Sequence, residues 1–564
     1  MITNRKWTIW FLALACAWTL AGWLIVPAVI RSAFGDGVFG VLSGLMPGRA
    51  EHTVDVYLAP WTDLAAMALL GLVAVWFVGL VVMQPITWRL TRTAYLRIPT
   101  FGGRFHQRSV ALFLALVSIT VIVQADQFPD RWSTAPGWEY ESVATSLVDG
   151  HGFSFPPGSR WLVLDDERGA DQHGVTAWKE PVYPHLLAAS FSLFGPHYGR
   201  LAVVLCQMGF LLGTSFLIYR LGTHLFGVGV GVSAALATVL LLDLQHLVTV
   251  SLQIPAISSL LFIAGLLLIF RYGDHPSLRR AIKLGVYLGL AALTHAVLIV
   301  LVPIAALFMV LHGPKRPWFG AVKPALLMGL VAAMTISPWT IRNYAQFGHL
   351  IPVQTGFGTF ANASNTFVAE TYMPGIDACG DGSPPIFEAE GPLDAILALR
   401  KNQNGYWYRT HQRSVACVAA VHAEEYFTLN EHERDGLHKQ QLVGFAAAHP
   451  LEFLELTAAK TVLFVFDVPI NGRGATLLAA LGILGMLLTA RKPRMWVFPI
   501  AILAYTAPYA LTAPLYFRYQ APMEPMYSLF AVVAVVTVFR GPIGRLKQIW
   551  GPWSKRYGAS GDTP

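Results

Sequence analysis

Apolar runs long enough to cross a bilayer recur along this chain, separated by short basic segments and by two long polar ones. They fall at 7–30, 60–84 and 109–126, then at 200–220, 225–245 and 250–271. A longer run covers 283–312, followed by 320–340, 474–490, 494–512 and 521–539. One helix needs roughly 20 residues to span the hydrocarbon core. The 283–312 run is too long for one crossing and carries His295 and Pro303 near its middle, so it predicts two short helices that go out and come back. The expected fold is an all-α polytopic membrane protein with about 12 spans.

Charge sets the expected orientation. The segments at 1–6, 85–108, 271–283, 313–323, 491–494 and 540–556 are all basic, and twelve spans put every one of them on the same side. Positive residues favour the cytoplasmic side. The expected location is therefore the plasma (inner) membrane, with both termini cytoplasmic and two outer segments, 126–199 and 341–473. The chain then divides into 1–108, a two-span extension with a basic linker, and 109–345, a core holding the first outer loop. A second outer segment, 346–473, leads to the last three spans at 474–540 and a cytoplasmic tail at 541–564. Residues 449–468 are amphipathic at first and apolar later; with Glu452, Glu455 and Lys460 they read as a helix along the outer interface.

Composition agrees with the membrane reading. The chain is 55% hydrophobic and 13% charged, against about 25% charged in soluble domains. The net charge of +8 sits between apolar runs, as cytoplasmic anchors do, and no nucleic-acid motif, phosphate loop or metal-ligand spacing accompanies it. No metal and no cofactor are expected. The run after Arg5 and Lys6 reads as a retained span. Cys16 and Cys206 lie in apolar runs, whereas Cys379 and Cys417 share the second outer segment, where oxidised pairs persist; a disulfide between them is expected.

The candidate chemistry lies in the first outer loop. Residues 126–185 hold ten carboxylates against four cations. Within Gly137 to Phe153, Tyr140, Val143, Ala144 and Leu147 fall at i, i+3, i+4 and i+7, a helical stripe, with Gly150 and Gly152 at its C-terminal end. Glu139 and Glu141 sit in its first turn, where acids also simply complement the helix dipole. Lys179 stands at a helix start just before Pro181 and Pro184, and Arg342 and Arg518 lie at two other outer helix ends. Each cation alone reads as an interfacial anchor; together they suggest an anion site.

Several segments resemble the membrane-embedded C-type glycosyltransferases (GT-C), the group of the dolichyl-phosphate-mannose protein mannosyltransferases and the lipid A aminoarabinose transferases. They are EYESVATSLVDGHGFSF, KEPVYPHLLAASFSLFG, LGLAALTHAVLIVLVP leading to ISPWTIRNYAQFGHLIPV, GFAAAHPLEFLEL and LYFRYQAPMEPMYSLF. The resemblance covers roughly 110–540 and implies a GT-C bundle with juxtamembrane helices in the first outer loop. It implies a polyprenyl-phosphate-linked sugar donor held at the bilayer. It also implies an acceptor hydroxyl on a glycan, lipid or protein, and inversion at the anomeric carbon outside the cytoplasm. A loop carboxylate would deprotonate the acceptor while cations hold the leaving phosphate. Relatives commonly place an aspartate about four residues before the tyrosine matching Tyr140; here that position is Pro136, so Glu139 is the preferred base, with Glu141 and Asp130 as alternatives. Where relatives often carry a second acid, this chain offers Gln253, with Asp243 and His246 earlier. Lys179, Arg342 and Arg518 are the expected phosphate ligands, and Tyr140, Tyr183 and His295 the expected substrate contacts. A transporter or flippase of a lipid-linked glycan is the competing reading, and a non-catalytic relative the third. Transporters place ionisable groups at the bilayer midplane, whereas here they cluster at outer helix ends.

Overall fold

The computed structural model describes residues 138–157, 174–240, 251–312, 319–373, 375–401, 406, 408–423, 425–426, 428–466, 473–512 and 517–538. The chain divides into two units, Met1–Thr87 and Trp88–Pro564, and all described residues belong to the second. The runs at 7–30, 60–84 and 109–126, with Cys16, Asp130, Asp243 and His246, lie outside the described residues.

The described chain is overwhelmingly helical. It opens with α1 (Trp138–Val148), a two-residue β1 (Ser154–Phe155) paired antiparallel to β2 (Gly174–Val175), and α2 (Val182–Phe226). Then follow α3 (Val228–Leu240), α4 (Pro255–Asp274), α5 (Leu278–Thr294), a 3-10 turn (Ala296–Val300), α6 (Leu301–His312) and α7 (Phe319–Phe347). The second polar segment holds α8 (Phe357–Ala369), α9 (Pro392–Lys401), α10 (Tyr408–Val421), α11 (Glu431–Ala448) and α12 (Pro450–Phe466). The chain continues through α13 (Arg473–Thr489), α14 (Val497–Thr512), a single turn (Phe517–Gln520) and an apolar α15 (Glu524–Val538). Among the described residues, four helices are long and apolar enough to cross a membrane: Val182–Phe226, Pro255–Asp274, Val322–Phe347 and Pro493–Thr512.

Local sequence explains where these helices break. The 283–312 run divides at His295, whose extended backbone (φ −150°, ψ 107°) caps α5 before the 3-10 turn, as its length predicts. α2 begins at Val182, earlier than the 200–220 run suggests, and Gly195 interrupts it at φ 73° just before Pro196. Pro196 lacks the N–H that would continue the ladder, and glycine alone tolerates that φ cheaply. The break leaves 13 residues of α2 ahead of Gly195, and the longer limb follows it.

α1 follows its stripe: Tyr140, Val143 and Ala144 are buried, and Leu147 packs partly buried against the same core. Fully burying an aliphatic side chain such as Val143 stabilises by about 1.5–3 kcal/mol. Tyr140 meets Tyr183 edge-on at 5.4 Å, tying α1 to the start of α2. Lys460 departs from its expected place at the interface. It is fully buried in α12, and its ammonium donates to Asn365 Oδ1 (2.9 Å) and Ser364 Oγ (3.3 Å) of α8.

A carboxylate from the second polar segment locks the returning limb of the first loop. Glu431, in the first turn of α11, accepts from the Thr176 hydroxyl (2.6 Å), the Ala177 amide (3.1 Å) and the Thr355 hydroxyl. Asn430 and Glu433 close a capping box that fixes this helix start. Arg342, near the end of α7, donates to the carbonyls of Thr176 (2.8 Å) and Phe153 (3.0 Å), on both limbs of the loop. Its guanidinium also lies over the rings of Phe153 and Trp339.

Arg342→Met is thus expected to lower stability by about 1–3 kcal/mol, through the loss of two charge-assisted hydrogen bonds to loop carbonyls, as read by thermal unfolding in detergent. Weakened polyprenyl-phosphate binding at unchanged stability would instead make Arg342 a phosphate ligand.

In the second segment Cys379 and Cys417 are bonded to each other, with Cα atoms 5.2 Å apart, beside buried Phe367 and Ala378. Intact-protein alkylation should find both thiols blocked until a reductant is added. Closing that loop contributes on the order of 3–4 kcal/mol in the chain-entropy treatment, so the double Ser variant should unfold correspondingly earlier.

Candidate functional site

Where α1, the start of α2, the start of α4, the His295 break and the Phe517–Gln520 turn converge, a pocket opens. It encloses about 290 Å³ including its mouth and is lined by Glu139, Tyr140, Lys179, Gln253, Ile254, Pro255, His295, Arg518 and Tyr519.

The electrostatic centre is Glu139 with Lys179, whose charged atoms are 2.7 Å apart and almost wholly buried. Burial alone would raise the Glu139 carboxyl; Lys179 and Arg518 outweigh it and hold the group below the ordinary glutamate range. Burial would likewise lower the Lys179 ammonium, but Glu139 outweighs that and raises it. Both partners therefore stay charged. Lys179 takes one oxygen of Glu139, while the other, Oε2, is buried without a hydrogen-bond partner. An ionised oxygen left open in this way can accept a proton from a ligand.

Neighbouring groups hold this pair in place. Glu180 accepts from the Ala296 amide (2.8 Å) and the Tyr140 hydroxyl (3.3 Å), and burial pushes its carboxyl upward. Arg518 donates to Gln253 Oε1 (2.7 Å) and the Tyr519 hydroxyl (3.1 Å), and its guanidinium lies 4.9 Å from the Trp138 ring centre. Trp138 has a left-handed backbone (φ 50°), which costs a non-glycine residue about 1–3 kcal/mol; the strain sits where α1 meets Arg518.

The structure brings together six residues singled out from sequence: Glu139, Tyr140, Lys179, Gln253, His295 and Arg518. Three others are placed elsewhere. Glu141, two residues after Glu139 on a helix, points to another side and pairs with Arg200. Arg342 is spent on the loop carbonyls and does not line the pocket. Tyr183 is buried and does not line the pocket; it donates to Gln207 Oε1 (2.9 Å), and Gln207 Nε2 donates to the Ser251 carbonyl (3.0 Å), two residues before Gln253. Sequence reasoning did not single out Glu180 or Tyr519, although each adjoins a cation it did single out. Among the described residues no group of three or more His, Cys, Asp or Glu side chains is placed to hold a metal ion.

Comparison with known proteins adds a family. Residues 178–341 match the family model described as dolichyl-phosphate-mannose-protein mannosyltransferase. No curated protein matches the sequence. Among solved structures, the Archaeoglobus fulgidus oligosaccharyltransferase with zinc and sulfate is similar at TM-score 0.45 and 13% identity, over 78% of this chain and 50% of that one. The chain thus spans half the length of that protein. The same enzyme with an inhibitory peptide and a dolichol-phosphate gives TM-score 0.46 at 13% identity, over 82% and 53%. ArnT from Cupriavidus metallidurans bound to undecaprenyl phosphate gives TM-score 0.32 at 13% identity, over 78% of each chain. The family match covers Lys179, Gln253, Ile254, Pro255 and His295 of the pocket, and over residues 178–341 the chain is similar to the dolichyl-phosphate-mannose-protein mannosyltransferases.

Proposed function

We propose that this pocket transfers a sugar from a polyprenyl-phosphate donor to an acceptor hydroxyl, with inversion at the anomeric carbon, on the extracytoplasmic face of the membrane. The observation that carries the reading is the open Oε2 of a buried, ionised Glu139 beside two cations, Lys179 and Arg518. Lys179 and Arg518 both line the pocket, and their positive charge suits a phosphodiester, which carries a single negative charge.

In this reading Oε2 takes the acceptor proton as the hydroxyl oxygen bonds to the anomeric carbon. The bond from that carbon to the phosphate oxygen breaks, and its electron pair leaves with the phosphate. Lys179 and Arg518 stabilise the charge that collects there, an effect enlarged by the dry surroundings. The lipid tail stays in the bilayer throughout.

Purified protein incubated with a panel of polyprenyl-phosphate sugars should release free polyprenyl phosphate from at least one. Tight binding of polyprenyl phosphate with no release from any donor would favour a carrier of lipid-linked glycans over an enzyme.

A further inference from the structure

His295 occupies an unusual position in this pocket. It caps α5 at the break in the long apolar run, so its extended backbone carries the ring off the helix face. The ring is buried, with 4% of the residue exposed. Its Nε2 lies 2.7 Å from the Tyr509 hydroxyl, whereas Nδ1 is buried with no hydrogen-bond partner. Tyr509 is itself fixed, stacked between Phe464 (5.2 Å) and Tyr519 (4.8 Å). Since Nε2 is engaged, Nδ1 is the nitrogen left for an occupant of the pocket.

Two considerations set what Nδ1 offers. Lys179 shares the pocket and opposes a second positive charge, so the imidazole is neutral and carries one proton. A phenol is a stronger acid than a neutral imidazole N–H, so the Tyr509 hydroxyl donates to Nε2 and the proton stays on Nδ1. The pocket then presents one unfilled neutral donor, Nδ1–H, and one unfilled anionic acceptor, Glu139 Oε2. A sugar hydroxyl can accept from Nδ1–H while Oε2 stays open for the acceptor hydroxyl. An ammonium only donates, and would face Lys179 and Arg518 besides.

We propose that His295 reads the sugar of the donor. Its Nδ1–H donates to a ring hydroxyl, Tyr509 acts as the positioning residue that fixes the tautomer, and the sugar class taken is neutral and hydroxyl-bearing rather than amino-substituted. This inference rests on the proposed function, and its test separates the two.

The experiment measures binding of two probes to the full chain in detergent: bare undecaprenyl phosphate, and undecaprenyl phosphate carrying a neutral hexose. The amide of Asn overlays Nδ1 of histidine, and that of Gln overlays Nε2. His295→Gln, which keeps the Tyr509 contact and empties the Nδ1 position, should weaken the sugar-linked probe by about tenfold or more. His295→Asn, which restores a donor there, should stay within about threefold of the parent. Both should bind the bare phosphate like the parent. Tyr509→Phe, which lets the tautomers mix, should weaken only the sugar-linked probe. The unaltered protein should bind an aminopentose-linked lipid about tenfold or more weakly than the hexose-linked one. Equal weakening of both probes in His295→Gln, or Asn failing where Gln succeeds, overturns the sugar-reading role. Parental binding by Tyr509→Phe overturns the tautomer assignment, and preference for the aminopentose overturns the sugar class. If the unaltered protein does not bind bare undecaprenyl phosphate, the donor reading itself fails.

Discussion

Glu139→Gln is expected to lower the transfer rate by about 10²–10⁴-fold, the contribution of a positioned general base, while donor affinity changes far less. The amide keeps the shape and one hydrogen bond to Lys179 but cannot take a proton. The pH profile supplies an independent check. Lys179 and Arg518 hold the Glu139 carboxyl below its ordinary range, so the acid limb of kcat/KM should lie below the ordinary glutamate pKa. Burial moves Glu180 the opposite way. A limb above that pKa would therefore transfer the base role to Glu180. A fully active Glu139→Gln enzyme would move it to Asp130, Glu141 or Glu180, and activity in all four amide variants would remove the carboxylate mechanism.

Lys179→Met should weaken polyprenyl-phosphate binding by about 2–5 kcal/mol, roughly 30-fold to several thousand-fold, the usual cost of truncating a buried charge contact. The same change leaves Glu139 without its nearest cation, 2.7 Å away in the parent. Its carboxyl should then titrate higher, and the acid limb of the remaining activity should move up in pH. A structural lysine would change stability without moving the limb. Unchanged binding together with an unmoved limb would exclude Lys179 from the site.

Much of the frame was legible in the sequence because it depends on local properties. The period of Tyr140, Val143 and Ala144 announced a helix that buries those three positions. The length of the 283–312 run announced a break, and His295 is where it falls. The cations were harder to read. Lys179, Arg342 and Arg518 look alike in sequence, each at a helix end. Arg342 differs only because carbonyls 166 and 189 residues away fold onto its guanidinium. Glu139 and Glu141 illustrate the same limit: two residues of helix turn one into the pocket and the other toward Arg200. Lys460 looked interfacial because charge in an amphipathic run usually is; its burial depends on Ser364 and Asn365, far upstream.

The Glu431 lock has a consequence for biogenesis. The limb carrying Lys179 and Glu180 is held by a carboxylate that follows Thr176 by 255 residues, and Arg518 comes later still. Chains are made from the N-terminus at about 5–20 residues per second, so both limbs of the first loop emerge well before the residue that fastens them. A nascent chain that stops short of α11 has both limbs of the first polar loop already made but no partner there for the Thr176 hydroxyl or the Ala177 amide. The pocket therefore comes together only once Arg518 has been made, and a chain arrested before then presents its acids and cations without the arrangement that joins them.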